Sequence, residues 1–419
     1  MIVIQGMNNN SSTYLPRWMA PQLKAVAREA RVTVLTGARQ VGKSTLLAHE
    51  LGADWRLFSM DDFDIQSQAR RDPDIMLTSS KHIILDEAHL TPSLFPRIKR
   101  LVDQDRTRRF ILSGSANLLL LSRTTESLAG RAEFLRLLPL SAGELAGHDV
   151  PAFLQRLFTG APESPAVMPV TLDAPVLATM VWNGGMPEIV HRRNTADLLR
   201  WREGYIRSYL EKDLRELSQI ANLPDFKRLM SLAALRCGCI LNQSDVARDA
   251  GLSQPTAHRY LGMLEVSEQC VRLPPFHSNV AKSIVKSPKL MWTDTGIAAF
   301  AAGFMSPSDL LHSREWGAFL ECYVYNQLRA VCGTWELPGE IFFWRTRSGV
   351  EVDFVIRHGR RLIAVEVKAG QQVRYEDTAG LQEFMRLHSD CRAGIVLYAG
   401  GEKKQLADTL WAVPLSWLA

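Results

Sequence analysis

The chain has 419 residues, 46% apolar and 22% charged, with a net charge of +5. This length exceeds one compact core and predicts roughly three domains, while the composition is that of a folded soluble protein with only a mild bias toward polyanions. Six cysteines (Cys237, Cys239, Cys270, Cys322, Cys332, Cys391) lack paired C-x-x-C spacing and no apolar run reaches ~20 residues, so neither zinc nor a membrane span is expected, and a cytoplasmic, reducing setting is.

The amino terminus shows no leader-like pattern, and residues 1–15 read as a loose tail. "RVTVLTGARQVGKSTLL" then joins an apolar strand to a helix through a glycine-rich loop, Gly37, Ala38, Arg39, Gln40, Val41, Gly42, Lys43, Ser44 and Thr45. The glycines let the backbone curl around phosphates, with consecutive N–H groups and the helix N-terminus facing the anion. Lys43 would reach the β- and γ-phosphates of ATP, and the Ser44 hydroxyl would ligate Mg²⁺. "KHIILDEAH" is a second buried strand whose carboxyl end carries Asp86, expected in the Mg²⁺ shell, and Glu87, expected to orient the attacking water. "RRFILSGSAN" is a third, with Ser113 or Ser115 where a γ-phosphate sensor would sit and Asn117 beyond. "RLFSMDD" and "AEFLRLLPL" complete five strands alternating with helices, a parallel sheet. In "ESLAGRA", Arg131 is either a finger for a neighbouring subunit's phosphates or a surface arginine.

Residues 143–225 read as a helical lid: "GGMPE" makes a turn, and Tyr205, Tyr209, Leu210, Leu214 and Leu217 fall near one helical stripe. "LNQSDVARDAGLSQPTAHRYLGMLE" reads as a helix-turn-helix, with Ser244 and Ser253 as caps and Gly251 left-handed at the turn. Gln254, Thr256, His258 and Arg259 would face DNA bases or phosphates. The following stretch carries Arg272, Lys282, Lys286 and Lys289 without an acid, the composition of a basic wing along duplex phosphates. The alternative is a helix-turn-helix used only for packing between domains.

In "VEVDFVIRHGRRLIAVEVKAG", alternation puts Glu366 and Lys368 on one face of their strand. With His358-Gly359 as a two-residue turn, Arg357 pairs with Arg360, and Asp353, opposite Ala364, lies diagonal to Glu366. Two carboxylates and the Val367 carbonyl suit Mg²⁺, with Lys368 positioning a water. Glu321, an acid within an apolar helical stripe, is the expected third acid. The alternative is a surface hairpin with an ordinary salt bridge from Glu366 to Lys368 or Arg361.

These landmarks together ("GARQVGKST", "IILDE", "GSANLLLL", "ESLAGRA", "LPLSAGEL", "GGMPE", "YLEKDL", "PKLMWTDTG", "GAFLECYVYNQL…VEVDFVI…AVEVKAG") resemble a bacterial and archaeal family of AAA-type P-loop ATPases with a C-terminal domain of unknown function. The resemblance implies a multidomain α/β chain with an ASCE-type ATPase core, a winged helix and a C-terminal domain like PD-(D/E)XK nucleases. Glu321, Asp353, Glu366 and Lys368 match that nuclease pattern. The expected division is 16–142 ATPase core, 143–225 lid, 226–295 winged helix-turn-helix and 296–419 nuclease-like domain. The expected function is ATP hydrolysis coupled to action on duplex DNA, in a homo-oligomeric ring, with Mg²⁺-dependent cleavage. The alternative is an ATP-switched DNA- or protein-binding regulator whose nuclease-like domain is inert.

Overall fold

The computed structural model describes residues 14–114, 128–160, 162, 170–192, 194–208, 222–277 and 287–419. Helix α1 (Ala20–Glu29) leads into β1 (Val32–Thr36), the loop, and α2 (Lys43–Glu50). There follow β2 (Arg56–Ser59), α3 (Phe63–Arg71), α4 (Pro73–Thr78), β3 (His82–Asp86), α5 (Phe95–Gln104), β4 (Arg109–Ser113) and β5 (Ala132–Arg136). All five strands are parallel, in the order β2-β3-β4-β1-β5. β1 is buried along its whole length, as a strand covered on both faces must be. Leu23 and Ala27 of α1 pack with Leu35, Leu46, Ile84 and Ile111 on one side. Phe95, Ile98 and Val102 of α5 pack with Val32, Val34, Ile83 and Phe110 on the other. Each such Val, Leu, Ile or Phe side chain contributes about 1.5–3 kcal/mol when fully buried. Because β4 lies between β1 and β3, the carboxyl ends carrying Thr36, Ser113 and Asp86 meet at one sheet edge.

The middle is helical: α6 (Ala142–Ala146), α7 (Phe153–Arg156), α8 (Ala174–Asn183), α9 (Thr195–Ser208), α10 (Leu223–Leu235), α11 (Gln243–Asp249) and α12 (Gln254–Val266). Tyr209, Leu210, Leu214 and Leu217 lie outside the described residues. The cap of α11 is Asn242, not Ser244: its side chain accepts from the backbone N–H of Ser244 and Asp245. Asn242 precedes the first helical residue with extended backbone, where its oxygen can reach those amides. Gly251 adopts φ 64° between the helices, and Ser253 caps α12. An antiparallel hairpin, β6 (Cys270–Leu273) and β7 (Lys289–Trp292), follows, then α13 (Thr295–Ala302), α14 (Pro307–Leu311) and α15 (Trp316–Gly333).

The C-terminal sheet has the order β12-β13-β11-β10-β9-β8. Its strands are β8 (Glu340–Arg345), β9 (Glu351–His358), β10 (Arg361–Lys368), β11 (Cys391–Tyr398), β12 (Lys404–Ala407) and β13 (Leu410–Pro414). α15 covers one face through Leu320, Val324 and Leu328 against Phe354, Ile363 and Val365. α16 (Ala379–Leu387) covers the other through Leu381 and Phe384 against Leu362, Ala364 and Val355. One apolar core runs unbroken from Phe153 through the helices to Leu418, so the helical middle and the α15 face of this sheet are packed as one body.

Candidate functional site

At the edge where β1, β3 and β4 end, the loop wraps around its own lysine. Lys43 is buried and its Nζ donates to the carbonyls of Gly37 (2.9 Å) and Ala38 (3.0 Å). Gly37, Gln40 and Gly42 all have positive φ (152°, 57° and 99°), the backbone that turns successive N–H groups inward. A Cβ on Gly37 would lie 2.5 Å from the Leu137 carbonyl oxygen, so no other residue fits. Ser44 Oγ donates to Asp86 Oδ2 at 2.6 Å, and Ser113 Oγ donates to the other carboxylate oxygen. Both oxygens of this buried acid are thereby aimed by hydroxyls, one from the first turn of α2 and one from the end of β4. Glu87 follows in the left-handed region (φ 50°) with Oε2 3.2 Å from His89 Nδ1, a strained position of the kind found at working sites. Hydroxyl and carboxylate oxygens from Ser44 and Asp86 suit a hard divalent cation, so these residues fit the Mg²⁺ that a nucleotide would bring.

Other predicted positions fall elsewhere. Ser115 and Asn117 lie outside the described residues. Arg131 stands at the start of β5, where its backbone carbonyl accepts from Val32 N–H. That is the opposite end of β1 from the loop, and Arg131 is held there by a bidentate pair with Asp103 (2.7 and 2.8 Å). It is remote from the phosphate loop of its own chain.

The hairpin of β9 and β10 turns one residue later than expected. Gly359 (φ 62°) and Arg360 form the turn, His358 pairs with Arg361, and Ala364 pairs with Val355 rather than Asp353. The glycine takes the first turn position because that position needs positive φ. The slip displaces each strand by one residue in opposite senses, so the side-chain parity survives, and Glu366 remains on the Leu362–Ala364 face. The ladder ends at Val365–Phe354; beyond it Val367 N–H donates to Asp353 Oδ2 at 2.8 Å. The β8 pairing also skips a residue here, Phe342 opposite Val355 and Trp344 opposite Val352, which is how a bulge re-aims a side chain.

Of the four acids that converge here, Glu321, Glu351 and Glu366 are ion-paired, and Asp353 accepts from the Val367 amide. Lys368 Nζ lies 3.0 Å from Glu366 Oε1. Lys289, buried in β7, places its Nζ 2.9 Å from Glu321 and 2.6 Å from Glu351, and Arg345 reaches Glu351 at 3.5 Å. Burial, then the Asp353 charge, pushes Glu321 up to about 8 against the pull of Lys289. The same two causes push Glu366 up to about 7 against Lys368. Burial also raises Asp353, opposed by Lys289 and by the Val367 amide. For Lys289 burial acts to lower, but Glu321, Asp353 and Glu351 outweigh it and hold the ammonium charged well above the usual lysine range. Among the described residues, no group of three or more His, Cys, Asp or Glu is arranged to hold a metal ion. The Mg²⁺ expected on Asp353 and Glu366 therefore does not fit this arrangement, because an ammonium stands among the acids.

On the helix-turn-helix, Gln254, His258 and Arg259 are exposed and Thr256 half-buried near the start of α12. Gln254 bonds Ser244 (3.1 Å) and His258 bonds Gln243 (2.9 Å), so α11 and α12 orient each other's polar face. Lys282 and Lys286 lie outside the described residues. Of the other cations expected along a wing, Lys289 is buried, and Arg272 is paired to Glu265.

Residues 29–146 match the model of an AAA domain. The first third of the chain is thus an AAA-type P-loop ATPase domain. Residues 175–308 match a domain of unknown function (DUF8612), and residues 316–418 match another (DUF4143). An uncharacterized protein of Mycobacterium tuberculosis is 28% identical over 402 residues, covering 94% of this chain and 82% of its own length; one of Mycobacterium bovis matches equally. Among solved structures, the chain is similar to the Walker-type ATPase of Pyrococcus abyssi (17% identity, TM-score 0.43, 67% of this chain and 94% of that one). It is also similar to the Saccharomyces cerevisiae Hsp104–ADP complex (12% identity, TM-score 0.27, 76% and 45%). No helix among the described residues is long and apolar enough to cross a membrane.

Two residues near these sites, Arg17 and Glu268, carry no recognisable sequence signal, and a third, Asp294, reads in the sequence only as a helix cap. Arg17 donates to the Val41 carbonyl (3.1 Å) and pairs with Glu144 (3.2 Å), bracing the AAA-domain loop from outside. Glu268, in a left-handed turn (φ 58°) between α12 and β6, is buried and pairs with Arg136 at 2.9 Å. Burial raises its pKa against Arg136, Arg329 and Lys43, so the helical unit leans an acid toward the phosphate loop. Asp294 caps α13 and also accepts from Gly185 N–H (2.7 Å), while Leu140 N–H donates to the Gly185 carbonyl (2.7 Å). "LPLSAGEL", "GGMPE" and "WTDTG" therefore meet in one knot.

Proposed function

We propose that the chain is an ATP-hydrolysing switch that engages duplex DNA, with a nuclease-like C-terminal domain serving assembly. The observation that carries this reading is the edge where Ser44 and Ser113 both donate to Asp86 while Lys43 holds the loop in its phosphate-cradling form. In this reading the loop N–H groups and Lys43 bind the phosphates, Ser44 and Asp86 would hold Mg²⁺, and Glu87 orients the attacking water. The ion, when bound, supplies charge neutralisation on the phosphate oxygens. The exposed polar start of α12 supports contact of Gln254, Thr256, His258 and Arg259 with DNA, and Lys282 and Lys286 would add phosphate contacts. A homo-oligomeric ring belongs to the same reading; Arg131 would serve as a finger there only by releasing Asp103.

The test is ATP turnover with and without duplex DNA at low salt, in wild type and Glu87→Gln. Stimulation by DNA is expected, together with a loss of about 10²–10⁴-fold in Glu87→Gln. Equal turnover in the variant removes Glu87 from its role, and no response to DNA removes the partner.

Mg²⁺-dependent cleavage at Glu321, Asp353, Glu366 and Lys368 is not part of this reading, because the ammonium of Lys289 stands among these acids. Nicking of plasmid by wild type, absent in Lys368→Ala, would overturn that exclusion.

A further inference from the structure

The acid cluster of the C-terminal sheet is assembled across two units. Glu321 comes from α15, Glu351 and Asp353 from β9 and Glu366 from β10, whereas Lys289 arrives from the hairpin that follows the helix-turn-helix. We infer that Lys289 is a built-in cation standing where a divalent ion would go, so that this cluster fastens the β6–β7 hairpin to the C-terminal sheet and does not bind a catalytic metal.

Three observations carry the inference. First, charge is nearly balanced without any ion: Glu321, Glu351 and Glu366 are ion-paired to Lys289, Arg345 and Lys368, and Asp353 feels Lys289 and Lys368 through space. An ion could enter only by expelling Lys289, which is 4% exposed. The ammonium would then be left against the Phe343 ring, 5.6 Å away, as a buried and poorly paired charge. Second, the strand carrying Lys289 is not a loop that can swing away. All four residues of β7 are buried; Leu273 pairs with Lys289 on one side, and Ile240 bridges to it on the other. Third, the other arm of the hairpin is fastened independently. Phe276 N–H donates to the Phe343 carbonyl (2.6 Å), Phe343 N–H donates to the Pro274 carbonyl (3.2 Å), and the Phe276 ring packs edge-on against Phe342 and Phe384. Withdrawing Lys289 means opening the shared core, which gives the ammonium a permanent place.

The inference is independent of whether DNA is the partner, and its test does not read ATP turnover. Mn²⁺ is titrated into the nucleotide-free full chain carrying Asp86→Asn, which removes the carboxylate at the phosphate loop, and free Mn²⁺ is counted by electron paramagnetic resonance. Adding Glu366→Gln to this chain is expected to leave bound Mn²⁺ unchanged; a drop overturns the inference, and this arm needs no change at Lys289. Adding Lys289→Ala is expected to create a bound Mn²⁺ that Glu366→Gln then abolishes, and a folded Lys289→Ala chain that gains none overturns it as well. Lys289→Arg keeps the charge and is expected to gain none; a gain there overturns the claim that the cation itself excludes the metal.

Discussion

Two sheet edges in this chain gather acids, and they hold them in different ways. At the AAA-domain edge, Asp86 is held by two neutral hydroxyls, Ser44 and Ser113, and the nearby ammonium of Lys43 is turned onto loop carbonyls. Neutral donors position a carboxylate without neutralising it, so its charge is still available to a cation. At the C-terminal edge, Glu321, Glu351 and Glu366 are each met by a fixed ammonium or guanidinium. The same residue types therefore make a receptive site in one place and a closed one in the other. What separates them is the identity of the neighbours, which strand motifs do not specify.

The comparison can be broken most forcefully at Lys289. Lys289→Ala leaves several buried carboxyls without their cation and is expected to cost about 3–5 kcal/mol of stability, read as a lower urea midpoint with unchanged slope. A loss as small as that of a surface substitution would mean that the C-terminal edge is as open as the other. Ser113→Ala asks the reciprocal question. Removing one neutral hydrogen bond from Asp86 is expected to cost about 0.5–1.5 kcal/mol in the same measurement, with a larger penalty on ATP turnover than on folding. Titration probes the C-terminal edge by pH alone. Glu366, pushed up to about 7 from an ordinary value of 4.5, keeps a proton in the folded chain that the unfolded chain has already released. Unfolding therefore releases a proton between those values, and the Glu366 contribution to stability declines as pH rises through that window. Urea midpoints compared at about pH 5 and pH 8 should fall in wild type and fall less in Glu366→Gln; equal slopes would show that Asp353 and burial do not act on Glu366 in solution.

Much of this was legible in the sequence for physical reasons. The central strands β1, β3 and β4 announce themselves as apolar runs, because a strand covered on both faces has no polar side to show, whereas the edge strands β2 and β5 are largely exposed and carry charges. The glycine-rich loop and the acid-tipped strand follow from the anion chemistry of Gly37, Gly42, Lys43 and Asp86. Alternation likewise placed Glu366 and Lys368 together, even though the turn was read one residue early, since opposite one-residue shifts preserve parity. Lys289 was not legible. It stands in a basic stretch and reads as a phosphate contact, while its partner Glu321 is 32 residues further along the chain. Only tertiary packing turns that lysine inward. Glu268 and Arg17 escaped for the same reason, one sitting in an unremarkable turn and the other ahead of the first helix. Asn242 displaced Ser244 as a cap because two good capping residues stand two positions apart, and composition cannot choose between them.

The knot at Gly185 has a mechanical consequence. A methyl group there would lie 2.1 Å from the Leu140 carbonyl oxygen, and the opposite side of the same turn is gripped by the Asp294 carboxylate. Pro187, two residues on, lies 3.7 Å from where a Cβ on Gly42 would be. The turn and the start of α13 are thus locked together with no room for a side chain, whereas Gly42 stands off from Pro187 by the breadth of a methyl group. In the reading proposed above, a loop glycine displaced toward Pro187 would first close that gap and only then meet the turn that Asp294 ties to the helix cap.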